Sequence, residues 1–188
     1  MRIISGFFKG KKILEPKDIK TRPLKDLTKE SIFNIINHSK KFNIDLKNSN
    51  ILDLFSGVGS FGIECLSRGT KSVVFIENHE NALIILKKNL KNLKSLQNYK
   101  IIDKDIYKIK SLSRLNKKFE IIFLDPPYKD KKIKILLTNI LETKILTSEG
   151  IIILHRNKND NDEFPNNINI IDQKQYGISK IFFLNFKL

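Results

Sequence analysis

Cysteine is nearly absent. Cys65 is the only one in 188 residues, so no internal disulfide forms and no cysteine cluster can hold zinc. No apolar run approaches the roughly 18 residues that cross a bilayer. The opening Met1-Arg2-Ile3-Ile4-Ser5-Gly6 has too short an apolar segment for a secretory signal. These gaps exclude disulfide-stapled, cysteine-zinc and membrane-spanning classes and lead us to expect a cytoplasmic protein. The length suits one domain with room for a real core.

Acidic residues are also scarce. Twenty Asp and Glu face 35 Lys and Arg, for a net charge of +15. A polyanionic partner, nucleic acid, is the natural inference. The excess is densest early, because residues 1–48 hold 12 Lys and Arg against 5 Asp and Glu. We therefore expect residues 1–48 to form a basic hairpin-and-helix extension that packs on a core domain of residues 49–188 and binds RNA. Arg2, Lys9, Lys11 and Lys12 interleave with Phe7 and Phe8 there, the mixture that grips phosphates and stacks bases. Arg22 follows.

Two short strands are expected at 2–5 and 11–14, with glycines at the corners between them. A helix should end near His38, with Leu24, Leu27, Ser31/Ile32 and Ile35/Ile36 on its apolar face. From residue 50 the pattern alternates. Strands are predicted at 51–55, 72–77, 99–103, 119–124 and 150–154. Helices are predicted at 60–68, 78–93 and 130–144, with a weak helix or loop at 106–116. Residues 156–167 read as a loop, and a hairpin at 168–186 closes the chain. Such alternation means an α/β fold, a doubly wound and mostly parallel seven-stranded sheet. The final hairpin adds an antiparallel edge.

Two motifs fall where such sheets bind ligands, beyond the carboxyl ends of the strands. The first is Gly57-Val58-Gly59-Ser60-Phe61-Gly62, a G-x-G-x-x-G between a strand and a helix. Phe55 and Ser56 lead into it. Glu77 ends the next strand, 20 residues beyond Gly57, where a carboxylate can take both ribose hydroxyls. Asp105, with Ile106 beside it, follows the third strand and can meet an adenine amino group. These features fit an adenosine-containing cofactor. Asp53, on the strand before the loop, can reach a cationic amino-acid group, which favours S-adenosylmethionine. The second motif is Asp125-Pro126-Pro127-Tyr128 after the fourth strand. Two prolines leave a strand end with carbonyls and no amide donor. A carboxylate, a carbonyl and a flat ring suit a planar group bearing an NH2.

The run from Asp53 to Gly69 resembles the cofactor loop and following helix of bacterial small-subunit ribosomal RNA (guanine-N2) methyltransferases of the RsmD type. Residues 2–6, 9–12 and 22–34 are similar to that family's amino-terminal segment, and Asp125 to Tyr128 to its catalytic motif. The resemblance implies a class I, Rossmann-like S-adenosylmethionine-dependent fold. It implies methyl transfer to N2 of guanine 966 in 16S rRNA, within an assembling small subunit. Asn78-His79 departs from the family pattern, which often has another acidic residue after Glu77. Catalysis would fall to Asp125, Pro126, Pro127 and Tyr128. The cofactor would lie on Asp53, Phe55, Ser56, Gly57, Gly59, Glu77, Asp105 and Ile106. Basic residues of the extension, with Lys129, Lys131, Lys132 and Lys134, would hold RNA. A monomer is expected, and no metal is, because a sulfonium is electrophilic enough unaided.

Rival readings keep the motifs and change the outcome. Asp-Pro-Pro-Tyr also serves adenine-N6 and cytosine-N4 methyltransferases. A nicotinamide oxidoreductase explains the glycines and Glu77 but leaves residues 125–128 unused. An RNA-binding assembly factor would keep the basic surface alone. His38, His79 and His155 are scattered in sequence and receive no role, and Cys65 reads as core.

Overall fold

The computed structural model describes residues 1–16, 24–94, 96–108, 112–127 and 130–187. Arg22, Tyr128 and Lys129 of the expected site lie outside them.

Seven strands form one sheet: β1 (Asn50–Leu54), β2 (Ser72–Glu77), β3 (Tyr99–Asp103), β4 (Phe119–Leu124), β5 (Leu146–Asn157), β6 (Ile168–Tyr176) and β7 (Ser179–Phe186). Their order is β3-β2-β1-β4-β5-β7-β6. The first five are parallel, and β7 pairs antiparallel with both β5 and β6. The chain reverses direction of growth between β1 and β4, which opens a crevice at their carboxyl ends. Strands buried on both faces read as continuous apolar runs, as Ile121 to Leu124 do.

Alternate side chains feed two cores. On one face Ile51, Val73, Phe75, Ile121 and Phe123 pack with α2 (Ser60–Ser67) and α3 (Glu80–Lys91). Ile3 and Ile13 join that core, as do Leu24, Ile32, Phe33 and Ile36 from around and within α1 (Asp26–His38). On the other face Leu52, Leu54, Ile122, Leu124 and Ile152 pack with Ile133, Leu136, Leu137 and Ile140 of α4 (Ile133–Thr143).

Several expectations shift. The amino-terminal strands reduce to a single bridge, Arg2 with Lys12, because this ribbon bonds to α2 rather than to the sheet. α1 is rotated from the expected face. Leu27 is 69% exposed while Lys29 is fully buried, drawn in by the Arg2 carbonyl at 2.8 Å and by Glu64 at 3.8 Å. α4 begins three residues late, after a turn in which Asp130 caps the Lys132 amide. Residues 106–108 and 112–115 form two short 3-10 turns. β5 extends to Asn157, because antiparallel pairing with β7 carries it past the predicted end.

Candidate active site

The crevice, about 320 Å3, is lined by β1 and its loop, by the end of β2, by the turn after β4, and by Pro16 and Leu24. It therefore unites the two motifs that the sequence separates by more than sixty residues. The donor-free corner faces the glycine loop, as Asp125, Pro126 and Pro127 share its wall with Asp53, Ser56 and Gly57.

Glycine is required at two points of the loop. Gly59 has φ of +87°, and a Cβ there would lie 2.5 Å from Leu86 Cδ1. A Cβ on Gly62 would meet the Phe75 ring at 2.3 Å and Asp53 Oδ2 at 2.9 Å. Gly62 lets α2 lie close against β1 and β2, and Gly59 lets the loop turn tightly against α3. Phe55 also takes a positive φ, of 57°, an uncommon conformation for a bulky residue and one that turns the chain into the loop. Glu77 ties the loop to β2. Its Oε2 accepts from the Gly57 amide at 2.6 Å, and its Oε1 accepts from the Asn78 and His79 amides at 2.8 Å.

Asp53 is buried, 1% exposed, at the crevice floor. Its Oδ2 accepts from the Gly62 amide at 3.0 Å, and its Oδ1 has no hydrogen-bond partner. Burial pushes its pKa well above the ordinary carboxylate range; the Gly62 amide opposes this, and the charges of Asp125 and Glu77 reinforce it. An unpartnered buried oxygen that lines a crevice awaits a donor. A cationic amino group meets that need, so the residues fit an amino-acid-bearing adenosine cofactor.

Asp125 stands at the end of β4 with its side chain 24% exposed. His155 Nδ1 lies 2.8 Å from its Oδ1. Burial favours the neutral imidazole, but the Asp125 carboxylate outweighs it and raises the His155 pKa. Among the described residues no group donates to the Pro126 carbonyl, whereas the Pro127 carbonyl accepts from the Asp130 amide at 2.8 Å.

Other expected residues lie apart from the lining. Asp105 caps the Tyr107 amide at 2.9 Å, and Ile106 is buried in the core. Lys132 lies over the Tyr107 ring, 5.2 Å from its centre, and that ring neighbours Phe55. The amino-terminal ribbon runs along α2. Phe7 and Phe8 bond to Ser67 at one end, while the Arg2 carbonyl meets Lys29 beside Ser60 at the other. Lys9 thus sits near the tip of the ribbon, an α2 length of about 12 Å from the crevice end. Sequence reasoning missed His155, Asn78 and His79. Register could have found the first, since Leu124 lies beside Leu154 and each is followed by a polar residue.

The model of the family named conserved hypothetical protein 95 matches residues 1–185. The ribosomal RNA small subunit methyltransferase D of Buchnera aphidicola subsp. Baizongia pistaciae is 32% identical over 97% of this chain and 89% of its own length. That of Haemophilus influenzae is 30% identical over 95% and 90%. The solved structure of yhhF from Escherichia coli has a TM-score of 0.82 at 24% identity, covering 100% of this chain and 98% of that one. SMU.776, solved in complex with SAH, has a TM-score of 0.65 at 18% identity, covering 84% and 49%. Sheet order and crevice together define the class I S-adenosylmethionine-dependent methyltransferase fold. Within that class, the chain belongs to the RsmD family of ribosomal RNA methyltransferases.

Proposed function

We propose that the protein methylates N2 of a guanine in 16S rRNA of the assembling small subunit, using S-adenosylmethionine. Guanine 966 is the target that the family resemblance implies. The observation that carries the proposal is the meeting of Asp53, with its unpartnered oxygen, and Asp125 in one crevice. One acid answers a cofactor's ammonium, and the other faces an incoming amine.

When bound, S-adenosylmethionine supplies an electrophilic methyl group. Asp53 would hold its amino group, Glu77 its ribose hydroxyls, and the backbone from Ser56 to Gly59 would let it approach closely. The base must leave its stack to enter. Its N2 lone pair is delocalised into the ring and is a weak nucleophile. Hydrogen bonds accepted by Asp125 and by the Pro126 carbonyl favour a pyramidal nitrogen and aim its lone pair. Fixed acceptors lower the barrier because they need no rearrangement as charge develops on the nitrogen. Tyr128 would stack on the base. We assign residues 1–48 to RNA binding, with Arg2 and Lys12 at the Ser60 end of the ribbon and Lys9 at the other, and Lys131 and Lys132 as further phosphate contacts.

The test is to incubate the protein and labelled S-adenosylmethionine with small subunits lacking the mark, then map the modified nucleotide. Label on guanine N2 of 16S rRNA is expected. Label on adenine N6 or cytosine N4, or none at all, would refute the reading.

A further inference from the structure

We infer that His155 and Arg156, consecutive residues near the end of β5, are positioning residues that hold Asp125 and the Pro127 and Asp130 carbonyls in place for accepting an amine. This rests on the reading of Asp125 as the acceptor of an exocyclic amine.

β4 and β5 are parallel, with Leu124 beside Leu154. The next residues, Asp125 and His155, therefore stand side by side, and His155 Nδ1 reaches Asp125 Oδ1 at 2.8 Å. The terminal torsion of an aspartate is soft. A hydrogen bond to one oxygen fixes it and leaves Oδ2 for a substrate N–H.

Arg156 points to the opposite side of the strand and grips Pro127 and Asp130. Its Nη2 donates to the Asp130 carbonyl at 3.0 Å, and its Nη1 to the Pro127 carbonyl at 3.4 Å. Asp162 anchors the guanidinium, accepting from Nε at 2.9 Å and pairing with Nη2 at 2.9 Å. The Asp130 carboxylate accepts from the Tyr107 hydroxyl at 2.8 Å. Asp125, Pro127 and Asp130 are thus each tied to β5, and Asp130 to Tyr107 as well.

His155 and Arg156 are 4% and 3% exposed. An imidazole and a guanidinium are costly to bury, and apolar residues would serve a sheet interior better. Each nevertheless points at least one donor at the residues after β4 that carry the reaction's acceptors, while Asp162 holds the rest of the guanidinium. The imidazole also keeps its proton to higher pH than usual: burial opposes this, Asp125 overrides it, and Arg156 weakens it.

The first arm of the test needs no substrate. His155 is titrated by NMR in the whole protein, wild type beside Asp125→Asn. The imidazole should lose its proton at lower pH in the variant. Identical titrations would overturn the pairing.

The second arm measures methyl transfer to small subunits and binding of S-adenosylhomocysteine. In His155→Leu we expect kcat to fall about 100-fold, as for a displaced catalytic group, with the affinity for S-adenosylhomocysteine retained. His155→Asn puts an amide N–H where Nδ1 stood and should recover most of the loss. Arg156→Gln should also lower kcat with that affinity retained. Wild-type turnover in His155→Leu, or His155→Asn as poor as His155→Leu, would overturn the role of His155. Wild-type turnover in Arg156→Gln would overturn that of Arg156. If His155→Leu loses S-adenosylhomocysteine as well, the comparison of His155→Asn with wild type decides. If the wild type labels no guanine N2, the proposed function fails, and the NMR arm still decides the pairing.

Discussion

Glu64, within α2, and Asp53, on β1 against it, are both buried carboxylates, at 0% and 1% exposure, yet their surroundings differ. Glu64 is fully engaged. It accepts from the Ile4 and Ser5 amides at 2.8 and 2.9 Å and from Arg68 Nε at 2.9 Å, with Lys29 at 3.8 Å. Burial lowers the Lys29 pKa, and Glu64 and Asp26 work against that. Asp53 has one amide on one oxygen and nothing on the other. The first carboxylate fastens the amino-terminal ribbon to the sheet domain. The second holds an unmet demand at the floor of a crevice. A buried acid with every valence answered belongs to the scaffold, and one left half answered marks a place for a ligand.

Removing each acid should separate these roles. Glu64→Ala strands the Ile4 and Ser5 amides and Arg68 Nε and leaves Lys29 with Asp26, a partly exposed counter-charge, so it should cost about 3–5 kcal/mol in chemical denaturation, as breaking a buried pair does. A loss below about 1 kcal/mol would place Glu64 outside the scaffold. Asp53→Asn should leave stability unchanged or raised. Its affinity for S-adenosylhomocysteine, measured by calorimetry, should fall by about 1.5–3 kcal/mol, the worth of a hydrogen bond to a charged group. A stability loss like that of Glu64→Ala would erase the distinction.

The pH dependence sharpens the contrast. Because the folded-state pKa of Asp53 is raised, any stability from its protonated form is present at low pH and is lost as pH rises through that raised pKa. Binding of a cation needs the ionised form. Calorimetry should therefore show affinity for S-adenosylhomocysteine rising with pH above the ordinary carboxylate range, and that rise should vanish in Asp53→Asn. The smallest effect belongs to the exposed lysines. Replacing Lys131 and Lys132 by Ala should flatten the salt dependence of subunit binding by about 0.7–0.9 for each phosphate no longer neutralised. An unchanged slope would assign them to solubility.

Much of this was legible in the sequence because local pattern and global fold agree. The apolar runs of β1, β2 and β4, the Gly57–Gly62 loop and Asp125 all sit where periodicity and turn chemistry put them. What escaped depends on tertiary contact. The rotation of α1 follows from a buried Lys29, and no helical periodicity foretells a lysine facing a core. The length of β5 depends on β7, which lies distant in sequence. His155 becomes significant only when β5 settles in register with β4. Asp105, expected as a ligand from its place after β3, also caps the next turn through its Oδ1, a local contact.

The most direct test of the central claim replaces Asp125 by Ala and measures methyl transfer to small subunits beside binding of S-adenosylhomocysteine. The account predicts that turnover disappears while that affinity stays close to wild type, because Asp53 and Glu77 remain. Turnover near the wild-type rate would contradict it.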